Sequence, residues 1–284
     1  MGVLDGRRAV VTGAGSGLGA AITAALREAG AEVLTMDRPG RSDIEIDVAD
    51  ESSVAAAFEA ASRTLGGVDV LVNSAGVLTE SPADQMSLAM WDETIAVDLT
   101  GVFLCTRAVL PGMRERRWGR VINLASQLGI KGGVGLAHYS AAKAGVIGFT
   151  KAVALEVAAD NVLVNAIAPG PIDTPMVEGI TEDWKAAKRA ELPLGRFGVP
   201  EEVAPSAVLL ASDPGGNLYV GQTLGPNSGD VMPQLALVYA GREISAAGRE
   251  VQRGLGSQSS RRSPTTSGAS SVGKCPISGS TCHE

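Results

Sequence analysis

Tyr139 and Lys143 stand four positions apart in AHYSAAKAG, thirteen residues after Ser126 in INLAS. On a helix, four positions are one turn, so the phenol and the ammonium would share a face. A phenol with its ordinary pKa of about 10 is a poor base at neutral pH. A neighbouring positive charge stabilises its anion and makes it a usable one. Tyr139 can then take a proton from an alcohol or return one to a carbonyl, while the Ser126 hydroxyl fixes the same oxygen by a hydrogen bond. Taken singly, each has an ordinary reading: a packed ring, a lysine stem laid along the surface, a serine closing a turn. Their joint occurrence downstream of a glycine-rich turn favours the chemical one.

That turn is TGAGSGLG at 12–19, which follows the apolar run RRAVV and opens LGAAITAAL. A strand, a glycine turn and a helix in this order let backbone approach a pyrophosphate, with amide donors and the helix dipole aimed at its charge. Thr12, Gly13, Ser16, Gly17, Leu18 and Gly19 are the residues of this cradle, with Thr12 able to tie the turn to its neighbours. Asp37 falls about twenty residues further on, where a carboxylate accepts hydrogen bonds from ribose hydroxyls. It would repel the extra phosphate of NADP, so NAD is the expected cofactor; Arg38, next to it, keeps NADP as the lesser alternative. Asp47 and Val48 can bracket an adenine ring, although Asp47 reads almost as well as the cap of a helix starting near Glu51. The small residues of Asn73-Ser74-Ala75-Gly76 let backbone pass beside a cofactor, and Asn73 can tie adjacent strands together. Oxidised nicotinamide would add a second positive charge near the phenol, and a hydride transfer would have both its halves.

Elements to position these groups follow from pattern. Runs rich in Val, Ile and Leu alternate with stretches of helical period, as in a parallel sheet covered on both faces. Strands are expected at 9–12, 32–36, 44–46, 68–73, 120–124, 163–168 and 222–224, and helices at 17–29, 51–65, 91–116, 138–159 and 201–212. Pro111 should kink or shorten the third of these helices. The nine residues RPGRSDIEI at 38–46 are too few for a crossover helix, so a short turn must connect the second and third strands. The fold class is α/β: a Rossmann-like, doubly wound, seven-stranded parallel sheet in one domain spanning 1–233. Residues 234–284 form a low-complexity tail, dominated from Gly254 by Ser, Thr, Gly and Pro, expected to be disordered and to have no catalytic part.

Composition agrees. The 284 residues, 45% apolar, suffice for one sizeable core, and a net charge of −7 gives no reason to expect nucleic acid as a partner. Charges interrupt the apolar stretches before the ~20 residues of a membrane span, and no basic-then-apolar leader precedes the first strand, so a cytoplasmic protein without a membrane partner is expected. Of three cysteines, Cys105 falls in a helical run; Cys275 and Cys282, with His283, lack a scaffold for a metal, and no metal site is expected.

These motifs resemble those of the classical short-chain dehydrogenase/reductase family. Its glycine motif matches Thr12, Gly13, Gly17 and Gly19; its Asn-Asn-Ala-Gly element is similar to residues 73–76, with Ser74 in second place; its Ser, Tyr and Lys fall on Ser126, Tyr139 and Lys143. Its Pro-Gly turn matches Pro169 and Gly170. The resemblance implies that Thr174 contacts the carboxamide or phosphate, that Ile172 lines the nicotinamide, and that Asn73, Ala75, Gly76, Tyr139 and Lys143 also touch the cofactor. It runs from about Leu4 to Met232. Members commonly carry an Asn that completes a proton relay; the matching residue in AVDLTG is Asp98, whose charge is expected to perturb Lys143 and to weaken or pH-shift turnover. Relatives usually finish soon after the stretch at 229–232, so the tail is a second departure.

Family substrate contacts come from the segments between Ser126 and Tyr139 and after Gly170. Leu128, Leu136, Met176, Val177, Ile180 and Trp184 suggest a mainly apolar pocket, with Gln127 and His138 as polar candidates, although His138 reads better as a helix-start residue. Glycines 132, 133 and 135 and the loop near 175–195 could form a lid. The expected activity is NAD-dependent interconversion of a medium-sized secondary alcohol and its ketone. The alternatives are an NADPH-dependent ketoreductase resembling the 3-oxoacyl carrier-protein reductases and a dinucleotide-binding sensor without turnover. Small and apolar residues on several faces of the helices at 91–116 and 138–159 suit burial against a sister subunit, and the resemblance implies a homotetramer, with a homodimer as fallback.

Overall fold

The computed structural model describes residues 2–175 and 181–232. Strand Arg8–Thr12 (β1) leads into helix Gly17–Glu28 (α1) and strand Glu32–Asp37 (β2); a turn without a helix then reaches the short strand Ile44–Glu45 (β3). Helix Glu51–Leu65 (α2) and strand Val70–Asn73 (β4) come next. Helix Leu88–Ile95 (α3), a π-helical turn at Ala96–Thr100 and helix Gly101–Glu115 (α4) form one continuous rod before strand Gly119–Leu124 (β5). The short helix Leu128–Lys131 (α5), the long helix Ala137–Val157 (α6), strand Val162–Ile167 (β6), helices Glu182–Glu191 (α7) and Pro200–Ala211 (α8), and strand Thr223–Leu224 (β7) complete the order.

The sheet runs β3-β2-β1-β4-β5-β6-β7, every pair parallel. Side chains alternate between its faces, as strand geometry demands. Val10, Leu71, Val121 and Val164 join the core beneath α2, α4 and α6. Ala9, Val11, Val70, Val72, Ile122 and Ile167 join the core beneath α1 and α8. Because both faces are covered, β4, β5 and β6 are buried at every residue.

Local chemistry sets the helix ends. Asp50 caps α2 by accepting from the amides of Ser52 at 2.7 Å and Ser53 at 3.2 Å, and Gly66 ends it in the left-handed conformation. The cap role considered for Asp47 therefore belongs to Asp50. Thr181 caps α7, accepting from the Trp184 amide at 3.4 Å; this helix lies within a segment expected to be loop.

Two expectations for the rod are corrected. Pro111 neither ends nor shortens α4, which continues to Glu115. Pro111 and Arg107, whose carbonyl loses its donor, are both exposed, so solvent can satisfy that oxygen. A separate irregularity falls at the π turn. Contrary to the charge-based reading, Leu88–Glu115 is long and apolar enough to pass as a membrane span by length and composition. Its apolarity is used inside the fold: Val102, Leu104, Cys105, Val109 and Met113 are buried in the core.

Candidate active site

Register brings the chemistry to one edge of the sheet. Thr12 pairs with Met36 on one side and Asn73 on the other, and Asn73 pairs with Asn123, so the C-terminal ends of β1, β4 and β5 lie level. Strand order reverses between β1 and β4, which opens the crevice where ligands bind in such sheets.

The glycine turn has no room for side chains. A Cβ on Gly13, at φ +66°, would lie 2.6 Å from the Ala75 backbone, and one on Gly19 would lie 2.1 Å from the Gly13 carbonyl oxygen. The Thr12 hydroxyl accepts from the amides of Ser74 and Ala75 at 3.2 and 3.3 Å, clamping this turn to the segment after β4. Ser16 is the exposed N-cap residue of α1 and makes no side-chain capping bond. Asp37 ends β2; its carboxylate accepts from the Gly15 amide and the Arg38 amide, both at 2.7 Å. Arg41 lies against Gly15, where an added Cβ would meet both Arg41 and Asp37 at 2.8 Å. Val48 is buried and touches Gly101, whereas Asp47 is exposed and accepts from the Ala49 amide at 2.9 Å. Thr174 comes within 3.7 Å of a Cβ built on Gly17, which joins the segment after β6 to the glycine turn. Ile172 is buried and bridges to Gly198; Gly170, whose Cβ would lie 2.6 Å from Asn227, donates to the Pro226 carbonyl at 3.1 Å, and the Pro169 carbonyl accepts from the Gln127 amide at 3.0 Å. The glycine turn, the end of β2 and the segments after β4 and β6 thus meet in one backbone-lined cradle.

A buried polar line runs behind it. Asn73 donates to Asn123 at 2.8 Å and to Thr106 at 3.1 Å, and Asn123 donates to Thr150 at 2.9 Å. Asn73 was legible as a strand tie; Asn123, Thr106 and Thr150 were not, since nothing in their spacing marks them.

Tyr139, Lys143 and Ser126 are brought together. Lys143 Nζ lies 5.5 Å from the centre of the Tyr139 ring, donates to the Leu124 carbonyl at 3.0 Å, and sits 3.2 Å from Asp98 Oδ2. Ser126 is buried beside the phenol, and its Oγ accepts from the Leu128 amide at 3.1 Å, so it also starts α5. Burial pushes the Tyr139 phenol above its ordinary value; Lys143 and Ser126 pull it down, and Asp98 pushes it further up. Burial alone would lower the Lys143 ammonium, but Asp98 and Tyr139 outweigh it and raise it. Asp98 is fully buried in the π turn, and its Oδ1 accepts from the Val77 amide at 2.8 Å. The expectation that it would disturb Lys143 takes a definite form, a direct ion pair.

On the substrate side, Leu128 and Leu136 face each other around Gly133, within 3.5 Å of a Cβ built there. Gln127, expected as a substrate contact, donates its side-chain amide to Asp230 at 2.6 Å. Lys131 and Lys188 close on the same carboxylate at 2.7 and 3.0 Å, so α5, α7 and the chain near 230 meet in one cluster. Sequence reading missed this cluster, as it joins residues 42 to 103 positions apart. His138 is fully buried and its Nε2 lies 2.8 Å from the Thr79 hydroxyl, which agrees with a structural role at the start of α6. Met176, Val177 and Ile180 lie outside the described residues, as do the tail from Gln234 onward and its two cysteines and histidine.

Fold and site together define an oxidoreductase that acts on a carbinol or carbonyl group with a nicotinamide dinucleotide. A family model described as Enoyl-(Acyl carrier protein) reductase matches residues 13–229. The chain is 40% identical over 227 residues to a 3-oxoacyl-(acyl-carrier-protein) reductase of Aquifex aeolicus, covering 74% of this chain and 92% of that one. It is 42% identical over 236 residues to an acetoacetyl-CoA reductase of Shinella zoogloeoides, covering 78% and 98%. A crystal structure assigned to a short-chain alcohol dehydrogenase of Sinorhizobium meliloti superposes with a TM-score of 0.76 at 36% identity, covering 80% of this chain and 97% of that one. The chain belongs to the short-chain dehydrogenase/reductase family.

Proposed function

We propose that the protein interconverts a medium-sized, mainly apolar secondary alcohol and its ketone with NAD(H), using Tyr139 as the acid and base. The observation that carries this reading is the meeting of Tyr139, Lys143 and Ser126 at the edge of the sheet that also bears the glycine turn. When bound, the nicotinamide exchanges a hydride with the substrate carbon. Tyr139 exchanges the proton with the substrate oxygen, Ser126 orients that oxygen, and the Lys143 donor not taken by Leu124 or Asp98 is available to a ribose hydroxyl. Asp37 supports NAD: a second anion beside its carboxylate, in a partly desolvated crevice, is repelled.

A second reading is reduction of 3-oxoacyl thioesters with NADPH. It is favoured by the names of the relatives above and by Arg38 and Arg41 beside the Asp37 carboxylate, where a ribose phosphate could be held if that carboxylate turned away. Exposed Phe103 on α4 and Leu155 on α6 support a homotetramer built on these helices. The test is a panel of secondary alcohols, simple ketones and acetoacetyl-CoA with each of the four nicotinamide dinucleotides, read at the absorbance of the reduced ring. Turnover with NAD(H) that vanishes in Tyr139→Phe is expected. Preference for NADPH and the thioester would select the second reading, and turnover surviving Tyr139→Phe would remove Tyr139 from the proton transfer.

A further inference from the structure

Among the described residues, Asp98 is the one carboxylate in contact with the catalytic lysine. It is fully buried, its Oδ2 lies 3.2 Å from Lys143 Nζ, and its Oδ1 is held by the Val77 amide at 2.8 Å. The π turn that carries it adds a residue to the rod between α3 and α4 and turns this side chain toward α6. Gly76 lets the segment after β4 close over it, since a Cβ there would come within 3.3 Å of Oδ2. The carboxylate is therefore built in from two directions.

We propose that Asp98 is a positioning residue that neutralises Lys143 in a buried ion pair, keeps Tyr139 a phenol, and so sets the enzyme to protonate carbonyl oxygens, that is, to work as a reductase. This rests on the reading that Tyr139 exchanges the substrate proton. The groups that act on Tyr139 are Lys143 on its own helix, Asp98 from the π turn and Ser126 from the segment after β5. His138, the preceding residue, is engaged with Thr79. An ammonium with no counter-charge would favour phenolate, the form that accepts a proton from an alcohol; the Asp98 carboxylate offsets part of that pull. Burial comes first in raising this phenol above its ordinary value, and Asp98 adds to it against the pull of Lys143 and Ser126. In the reductive step the Tyr139 O–H bond breaks as its proton passes to the carbonyl oxygen. The carbonyl carbon gains a hydride from the reduced dinucleotide, which is oxidised, and solvent restores the proton to Tyr139.

The ionisation of Tyr139 can be read without substrate or cofactor, from phenolate absorbance as pH is raised, after subtracting the same titration of Tyr139→Phe. Wild-type Tyr139 is expected to ionise above the ordinary tyrosine value, and Asp98→Asn, which keeps size and the bond to Val77, to ionise at lower pH. Should the Asn variant not fold, by circular dichroism, Asp98→Ser serves for the same comparison. In turnover, Asp98→Asn should move the pH profiles of both directions downward, with the phenolate fraction at neutral pH growing about tenfold for each pH unit by which the midpoint falls. A wild-type phenolate near neutrality, or an unchanged or higher midpoint in the variant, would overturn the proposal. A lowered midpoint in a protein that turns over no alcohol or ketone would leave the ion-pair effect intact and remove both the reductase assignment and the proposed function.

Discussion

Gly19→Ala is the sharpest test of the dinucleotide cradle. The new methyl carbon would lie 2.1 Å from the Gly13 carbonyl oxygen and 3.1 Å from Ala14 Cα. Both are backbone atoms, so no side chain can swing aside; the turn must yield by most of an ångström to reach even 3.0 Å, a separation real Cβ atoms essentially never go below. Gly13 is itself packed against Ala75, which is clamped through its amide to Thr12. Overpacking of this kind costs roughly 1–3 kcal/mol of stability. The larger effect falls on the ligand. Amide donors displaced this far lose charge-assisted hydrogen bonds worth about 1.5–3 kcal/mol each, so dinucleotide affinity should fall between about tenfold and a hundredfold for each bond lost. Calorimetric titration with NADH and NADPH, alongside thermal melting, measures both consequences. A variant that binds within twofold of wild type and melts at the same temperature would refute the cradle as described.

Asp69 should govern part of the acid stability. It is buried, bonded to Arg8 at 2.6 and 2.7 Å, and its carboxyl is held below the ordinary 3.8: burial works upward, but the bonds and charges of Arg8 and Arg116 win. A depressed folded value means that the contribution is complete above the ordinary value and is lost as pH falls through that value to the folded one. Asp69→Asn should cost about 2 kcal/mol by urea unfolding at neutral pH, with the gap from wild type narrowing below pH 3.8; a gap constant with pH would contradict this. Leu155→Glu, a change at a position 84% exposed in the single chain, should reduce the assembled mass seen by light scattering while leaving circular dichroism unchanged. An intact assembly would move the interface away from this face of α6.

Most strands were legible because a parallel sheet covered on both faces needs continuous apolar runs, as in VLVN and VLVNAI, and boundaries moved by at most two residues. The glycine turn and the Tyr, Lys and Ser group were legible because their chemistry restricts residue type and spacing together. Helix α7 was missed although Thr181, the acids Glu182 and Asp183, and the basic Lys188 and Arg189 are the start and stop signals of a helix. Those signals were outweighed by an expectation of loop around the substrate. The π turn left no periodic mark, since one extra residue in a rod of twenty-eight barely disturbs its apolar stripe. The bond of Gln127 to Asp230 lay beyond the reach of any local pattern, since it joins residues 103 positions apart.

That Asp230 partnership ties the neighbourhood of residue 230 to the segment that follows Ser126. Its carboxylate fastens the residue next to Ser126, a lysine of α5 and a lysine of α7. Shortening the chain ahead of this acid would leave Lys131 and the Gln127 amide without this partner, and Lys188 with Glu191 alone. An engineer who trims or fuses at this end should therefore expect Michaelis constants to drift before melting temperatures do.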